Sequence, residues 1–214
     1  MGCCQLRVCG TGRFFSRFAG RYRRRYQRRG LEASQKQLVE GLKDLGVVGR
    51  SLLEVGCGVG YVHQELLQAG AASAFGVDLS PEMLVQARQL AVARDLGGRV
   101  EYRAGDFVDL APEIATADIS VLDKVLCCYP DAHTLVTAVT ARTRHYCAVT
   151  YPRGHLLNRA GIACLGMLLT LFRNAFRPYF YEPAQVGAWF QAQGFRRTSQ
   201  RATAWWLTEI YERA

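Results

Sequence analysis

The chain has 214 residues, of which 50% are hydrophobic and 21% charged, a balance that excludes a fibrous or disordered protein and suits one globular domain. Its formal charge of +9 sits at one end: residues 1–31 hold nine of the 27 basic residues and no acid, leaving 18 basic against 18 acidic in the body. The longest apolar run, Ala160 to Phe172, has 13 residues, too few to span a bilayer.

Residues 1–30 read as a basic, aromatic extension ahead of a domain over residues 31–214. Phe14, Phe18, Tyr22 and Tyr26 recur every four residues, a stripe at helical spacing, with Arg17, Arg21, Arg25 and Arg29 beside it. Such a segment fits a lid helix, a basic arm for nucleic acid or an anionic membrane, or an acid-free mitochondrial presequence. Met1-Gly2-Cys3-Cys4 invites a lipidation reading, but Leu6 stands where Ser or Thr is wanted. Cys3, Cys4 and Cys9 have no His or fourth Cys nearby, so no metal site is expected. The other cysteines, at 57, 127, 128, 147 and 164, fall in predicted strands, turns and helices rather than framing short loops. Reduced thiols and a cytoplasmic location are expected, or a mitochondrial one if the N-terminus is a presequence.

From residue 33 on, helices and strands alternate. A helix over Ala33–Leu45 leads to strand Ser51–Val55, helix Tyr61–Ala69 and strand Ser73–Val77, which runs into Asp78. Ser80-Pro81-Glu82 is a helix start, with a capping hydroxyl and a proline at the first helical position. That helix reaches about Arg94. Strand Val100–Ala104, strand Ile119–Leu122, a helix from His133 to Arg142 and strand Tyr146–Thr150 follow. The pattern predicts a parallel sheet covered on both faces. Residues 155–182 are long, apolar and aromatic. A helix over Pro183–Gln193 and strands near Phe195–Arg201 and Ala204–Tyr211 end the chain.

The stretch that carries chemistry is Leu52-Leu53-Glu54-Val55-Gly56-Cys57-Gly58-Val59-Gly60. An apolar strand ends and breaks into three glycines at alternate positions, and a helix starts at once. Glycines there let the backbone approach a ligand, and the helix points free N–H groups at it. The frames from Gly56 and Gly58 place Tyr61 and His63 where a dinucleotide fingerprint needs a third glycine, and no Gly-Lys-Ser/Thr phosphate loop is present. The pattern E-x-G-x-G-x-G resembles the first motif of class I S-adenosylmethionine-dependent methyltransferases. Asp78, 24 residues after Glu54, and the later Gly105-Asp106 follow in the order of that family.

The resemblance implies a Rossmann-like α/β fold: seven strands, mostly parallel, helices on both faces, and an antiparallel last strand beside the fifth. It implies S-adenosyl-L-methionine as cofactor. Gly56, Cys57, Gly58 and Gly60 would lie under its methionine part, and Glu54 would order the loop or meet the amino group. Asp78 would accept from both ribose hydroxyls, and Leu79 would flank the adenine. Asp106 would accept from the exocyclic amine with Phe107 packed on the ring, while Asp123 and Lys124 would face the sulfonium. The Cys-Cys-Tyr-Pro-Asp run at 127–131, with Tyr151-Pro152, distantly resembles the magnesium-protoporphyrin O-methyltransferase group.

Weak candidates for a general base are His155, Tyr129, Tyr151 and Asp131, near strand ends, with His63 on a helix. The expected reaction is methyl transfer to a small or medium organic substrate beneath a cover made by His155 to Tyr181. The alternatives are a nucleic-acid methyltransferase using the arginines, or a non-catalytic module that binds the cofactor. No Asn/Asp-Pro-Pro-Tyr/Phe motif or Pro-Cys pair points to base methylation. Peripheral membrane contact through residues 1–30 or 155–182 is open, without a transmembrane segment.

Overall fold

The computed structural model describes residues 3–214, with residues 3–9 and 157 described by backbone alone. Met1, Gly2 and the thiols of Cys3, Cys4 and Cys9 therefore lie outside the described residues. In chain order the elements are α1 (Cys3–Ser16), α2 (Ala19–Arg29), α3 (Ala33–Asp44), β1 (Ser51–Val55), α4 (Tyr61–Gln68), β2 (Ser73–Asp78), α5 (Pro81–Ala93) and β3 (Val100–Ala104). Then come α6 (Phe107–Leu110), β4 (Ala117–Asp123), α7 (Ala132–Ala141), β5 (Thr143–Pro152), α8 (Leu156–Leu171), α9 (Pro183–Ala192), β6 (Phe195–Ala202) and β7 (Trp206–Arg213).

The seven strands form one sheet in the order β3-β2-β1-β4-β5-β7-β6. Strand β1 pairs in parallel with β2 and β4, and β7 lies antiparallel between β5 and β6. Class, parallel core and inserted last strand are as expected. Alternation along β1 sends Leu52 to one face and Leu53 and Val55 to the other. The first face packs on α3 and α4 through Leu38, Leu42, Val62 and Leu66; the second packs on α7 and α9 through Leu135, Val139, Val186 and Phe190.

Strand β5 starts three residues ahead of the expected Tyr146. Arg144 and His145 broke the apolar pattern, but both reach Asp118, at 3.3 and 3.9 Å, from the paired strand. Asp118 in turn accepts from the Ser51 amide and hydroxyl at 2.8 and 2.7 Å, tying the starts of β1 and β4 together.

The N-terminal stripe is not one helix. It breaks at Arg17–Phe18, between α1 and α2. Ser16 turns its hydroxyl back to the Gly12 carbonyl at 3.0 Å and also meets Ser80 at 2.8 Å, which fastens the end of α1 to the start of α5. Helix α2 then runs over α4 and α5. Tyr26 stacks on Tyr61 with centroids 4.3 Å apart, and Arg94 donates to its hydroxyl at 2.7 Å. Helix α1 is held from its other side by Phe176, whose ring stacks on Phe14 at 4.7 Å and meets Phe15 edge-on at 5.4 Å.

Candidate active site

A cleft of about 180 Å³ opens at the carboxyl ends of β1, β2 and β4, where open α/β sheets bind ligands. Glu54, Gly56, Cys57, Gly58, Asp78, Leu79, Asp123 and Lys124 all line it. Its outer wall is Thr11, Gly12 and Phe15 of α1 with Tyr22 of α2, and Tyr61, Met83, Cys128 and Tyr129 complete it.

The loop after β1 holds Gly56, Gly58 and Gly60 at φ of +66°, +54° and +82°, conformations that side chains resist. A Cβ on Gly56 would also stand 2.5 Å from Val125 Cγ2. Asp78 ties this loop to β2: its Oδ2 accepts from the Gly58 amide at 2.7 Å and its Oδ1 from the Ser80 amide at 2.8 Å. Burial pushes its carboxyl up to about 6, although the two amides oppose the rise. Cys57 sits in the loop with its thiol raised well above the ordinary range, by burial and then by Asp78 and Glu54.

Beneath the loop, Glu54 Oε2 accepts from the His63 amide at 3.0 Å and faces His63 Nδ1 at 2.6 Å. His63 Nε2 lies 2.9 Å from the Tyr102 hydroxyl. With its proton on Nδ1, a neutral His63 accepts from Tyr102. His63 has no exposed surface, so it fixes Glu54 under the loop and cannot meet a substrate.

Lys124 takes a left-handed φ of 61° at the end of β4, pairs its ammonium with Glu32, and lies 5.0 Å above the Trp206 ring. Asp123 Oδ2 accepts from Gln35 Nε2 at 2.7 Å. Asp123 Oδ1 is buried and without a partner, and burial raises the carboxyl. An unpaired carboxylate oxygen beside a glycine loop fits a ligand that brings an ammonium group, as S-adenosylmethionine does.

Six expected site residues are corrected. Phe107 does not face the cleft; it is 3% exposed, in the core with Leu53 and Val55. Asp106 also lies outside the lining. It caps α6 through the Val108 amide at 3.0 Å and takes the Tyr129 hydroxyl at 2.9 and 3.0 Å. Tyr129 does line the cleft, but its hydroxyl donates to Asp106, and burial and then Asp106 push its phenol up. Tyr151 is buried with its hydroxyl on Glu209 at 2.5 Å, Asp131 caps α7 through the Thr134 amide at 3.0 Å, and His155 is an exposed residue before α8; none of the three lines the cleft.

The stretch from His155 to Tyr181 contributes nothing to the cleft lining either. Leu156, Leu171 and Phe172 turn outward, and the stretch supports the site from behind, through Phe176 on α1, the Tyr179 amide on the Cys127 carbonyl at 2.8 Å and the Tyr181 hydroxyl on the Tyr129 carbonyl at 2.9 Å. The cover is instead made by α1 and α2. Gly10 and Gly12, which the sequence reading passed over, allow it. A Cβ on Gly12 would stand 2.8 Å from the Leu79 carbonyl oxygen, and one on Gly10 would stand 2.5 Å from Ala175 Cβ. Gln35, Tyr61 and Cys128 were missed as well, because each sits in an apolar or helical pattern that gives no sign of a ligand.

Known proteins agree with this geometry. Residues 52–145 match the family model for the methyltransferase domain. The chain is 29% identical over 171 residues to the ubiquinone biosynthesis O-methyltransferase of Bordetella avium, covering 76% of this chain and 69% of that one. It is 27% identical to the enzyme of that name from Pseudomonas fluorescens, covering 70% of this chain and 66% of the relative. The crystal structure of magnesium protoporphyrin IX methyltransferase from Synechocystis with bound S-adenosylhomocysteine superposes with a TM-score of 0.73 at 21% identity, over 94% of this chain and 96% of that one. Sheet order, glycine loop and these matches define a class I S-adenosylmethionine-dependent methyltransferase. This chain is such an enzyme, with S-adenosyl-L-methionine as its cofactor.

Proposed function

We propose that the enzyme methylates an oxygen of a small or medium, largely apolar organic molecule carrying a ring system. The observation that carries this reading is the cleft wall: Phe15, Tyr22, Tyr61, Met83 and Tyr129 line it together with the glycine loop. Such a wall suits a flat apolar body. The relatives named for ubiquinone biosynthesis and for magnesium protoporphyrin support that substrate class.

The cofactor supplies an electrophilic methyl group; the chain's own residues bind and orient. Asp78 holds the ribose, Gly56, Cys57 and Gly58 cradle the methionine part, and Glu54 and Asp123 hold its amino group. Leu79 and Tyr129 flank the adenine, and Asp106 acts through Tyr129. Gly60 shapes the turn into α4, and Lys124 fixes the backbone after β4. Helices α1 and α2 form a lid. Incubation with the cofactor and a panel of phenolic, quinol and tetrapyrrole acids tests this. S-adenosylhomocysteine formed together with a product heavier by one methyl supports it, and cofactor binding without turnover on any of these would sink it.

A membrane surface as the source of the substrate is the second reading. Among the described residues no helix is long and apolar enough to cross a membrane. Yet Leu156, Met167, Leu171 and Phe172 are 67–80% exposed, and Arg21, Arg24, Arg28 and Arg29 are exposed on α2. Exposed apolar side chains with flanking arginines suit anionic lipid better than nucleic acid. Flotation with vesicles containing anionic lipid, against neutral vesicles, tests this, and equal recovery with both would end it.

A further inference from the structure

Cys127 and Cys128 form a second chemical feature of the cleft. They follow β4 in a single tight turn over residues 126–128. Successive side chains in such a turn normally diverge by about a third of a revolution. Here both thiols bend back toward one acceptor, the Lys124 carbonyl oxygen, at 3.4 and 3.5 Å, and their sulfurs come within 3.8 Å of each other. The left-handed turn at Lys124 presents that carbonyl to both. The sulfurs are far beyond the ~2.05 Å of a disulfide, so both stand as free thiols here. Cys128 lines the cleft, beside Tyr129 and across from the glycine loop.

We propose that Cys127 and Cys128 are a dithiol site for a trivalent arsenical carrying one organic group, and that its occupation obstructs the cleft. Three features select this ligand class. Among the described residues no set of three or more His, Cys, Asp or Glu side chains is placed to hold a metal ion, so a four-coordinate zinc site is not provided. A monosubstituted trivalent arsenic brings its own third substituent and needs only two thiols. Metal cations also need thiolates, and the contact with Cys127 and burial push the Cys128 thiol up, which disfavours its thiolate. Condensation with an arsenical consumes two thiols and returns their protons as water. With phenylarsine oxide the arsenic–oxygen bond breaks, two arsenic–sulfur bonds form, and both thiol protons leave with the oxygen as one water. Arsenic stays trivalent and nothing is oxidised or reduced.

The inference rests on the sulfur geometry and not on the methyl acceptor. Its test uses the full chain carrying Cys3→Ser and Cys4→Ser, which removes the other adjacent pair in the sequence. Phenylarsine oxide is titrated against the native protein, with free thiols counted by a chromogenic disulfide and the adduct read by intact mass. One equivalent bound, two thiols lost, and release by a dithiol but not by an equal excess of a monothiol are expected. Adding Cys127→Ser or Cys128→Ser should weaken uptake at least 100-fold with an unchanged melting temperature, while Cys164→Ser, at an exposed lone thiol, should change nothing. No uptake by the folded protein, or the same uptake by both the Cys127→Ser and Cys128→Ser proteins, overturns the proposal. None of these readouts depends on turnover. If methyl transfer fails for every acceptor while the adduct forms as described, the proposed function falls and the dithiol site stands.

Discussion

The Gly58 amide donates to Asp78 Oδ2 at 2.7 Å, so the acid that ends β2 holds the glycine loop that ends β1. One side chain thus shapes the loop and, in the proposed role, meets the ribose. Removing it affects both. Hydrogen bonds to a charged group contribute ~1.5–3 kcal/mol each. Asp78→Ala should therefore weaken cofactor binding by about ten- to several hundred-fold in isothermal titration, since ~1.4 kcal/mol is tenfold. Asp78→Asn should be milder, because one acceptor oxygen remains. Asp109→Ala, at an exposed residue of α6, is the control and should bind like the parent. Equal loss in the Asp109 and Asp78 proteins would remove Asp78 from the site.

Affinity should also depend on pH. The Asp78 carboxyl is raised to about 6, and the ionised form is the one that accepts from two hydroxyls. Binding should be full above neutrality and weaken as pH falls through 6, by up to about tenfold at pH 5. Asp78→Asn should flatten this profile. The stability of the free protein runs the other way at this group. A carboxyl raised by folding binds more protons in the folded state than unfolded, so its ionisation costs stability as pH rises toward 6. Titrations and melts across pH 5–8 should therefore show opposite slopes from Asp78, and parallel slopes would contradict the assignment.

The Glu54–His63 pair predicts a stability effect. Both side chains are buried, and His63 spends its two ring nitrogens on Glu54 and Tyr102. His63→Ala leaves a buried carboxylate short of a donor and should cost ~3 kcal/mol in urea unfolding. His63→Gln should recover part of that. A His63→Ala protein that keeps its stability but loses turnover would restore His63 as a candidate base.

Strand ends were legible from the sequence because the sheet core is built from simple alternation and its breaks are glycines. Asp78 and Asp123 each close an apolar run and Glu54 stands one residue before the end of another, which put them at the mouth of the sheet. Phe107 was misread because Gly105-Asp106 fixes a turn without fixing which face the next residue meets. It begins α6, and its ring falls inward among Leu53 and Val55. The lid was half legible. Aromatic spacing predicted a helix, but the break at Arg17 depends on Ser16 meeting Ser80, 64 residues away, which no local pattern contains. His155 and Tyr151 looked functional by chemistry and position. Only the three-dimensional pairing with β7 shows Tyr151 committed to Glu209.

Asp123 and Asp78 should separate two parts of the cofactor. Asp123 Oδ1 has no partner and lies by the loop where an amino group is proposed to sit. Asp123→Ala should weaken binding of S-adenosylmethionine and S-adenosylhomocysteine about tenfold. It should leave methylthioadenosine, which lacks the amino-acid part, unaffected. Asp78→Ala should weaken all three, because each carries the ribose. If Asp123→Ala weakens methylthioadenosine as strongly as the others, Asp123 shapes the cleft generally and does not hold the amino group.

The cover over the cleft depends on small residues in α1. Gly12 lies against the Leu79 backbone, where a Cβ would stand 2.8 Å from the carbonyl oxygen. A glycine in a helix interior costs ~1 kcal/mol relative to alanine, so Gly12 is favoured by contact and not by propensity. Helix α1 walls the cleft of about 180 Å³ beneath it, so α1 is expected to move outward for cofactor entry and to close over it. Gly12→Leu should keep α1 from closing. Cofactor dissociation in stopped flow should quicken by about tenfold or more, the ~1.4 kcal/mol that one lost apolar contact of this size represents. The sheet should be untouched, since the described part of α1 packs on α5 and Phe176, and the urea midpoint should stay near that of the parent. Gly20→Leu, on α2 where a Cβ meets nothing within 4 Å, is the matched control. Unchanged dissociation in Gly12→Leu, or the same acceleration in Gly20→Leu, would show that α1 does not gate the cleft.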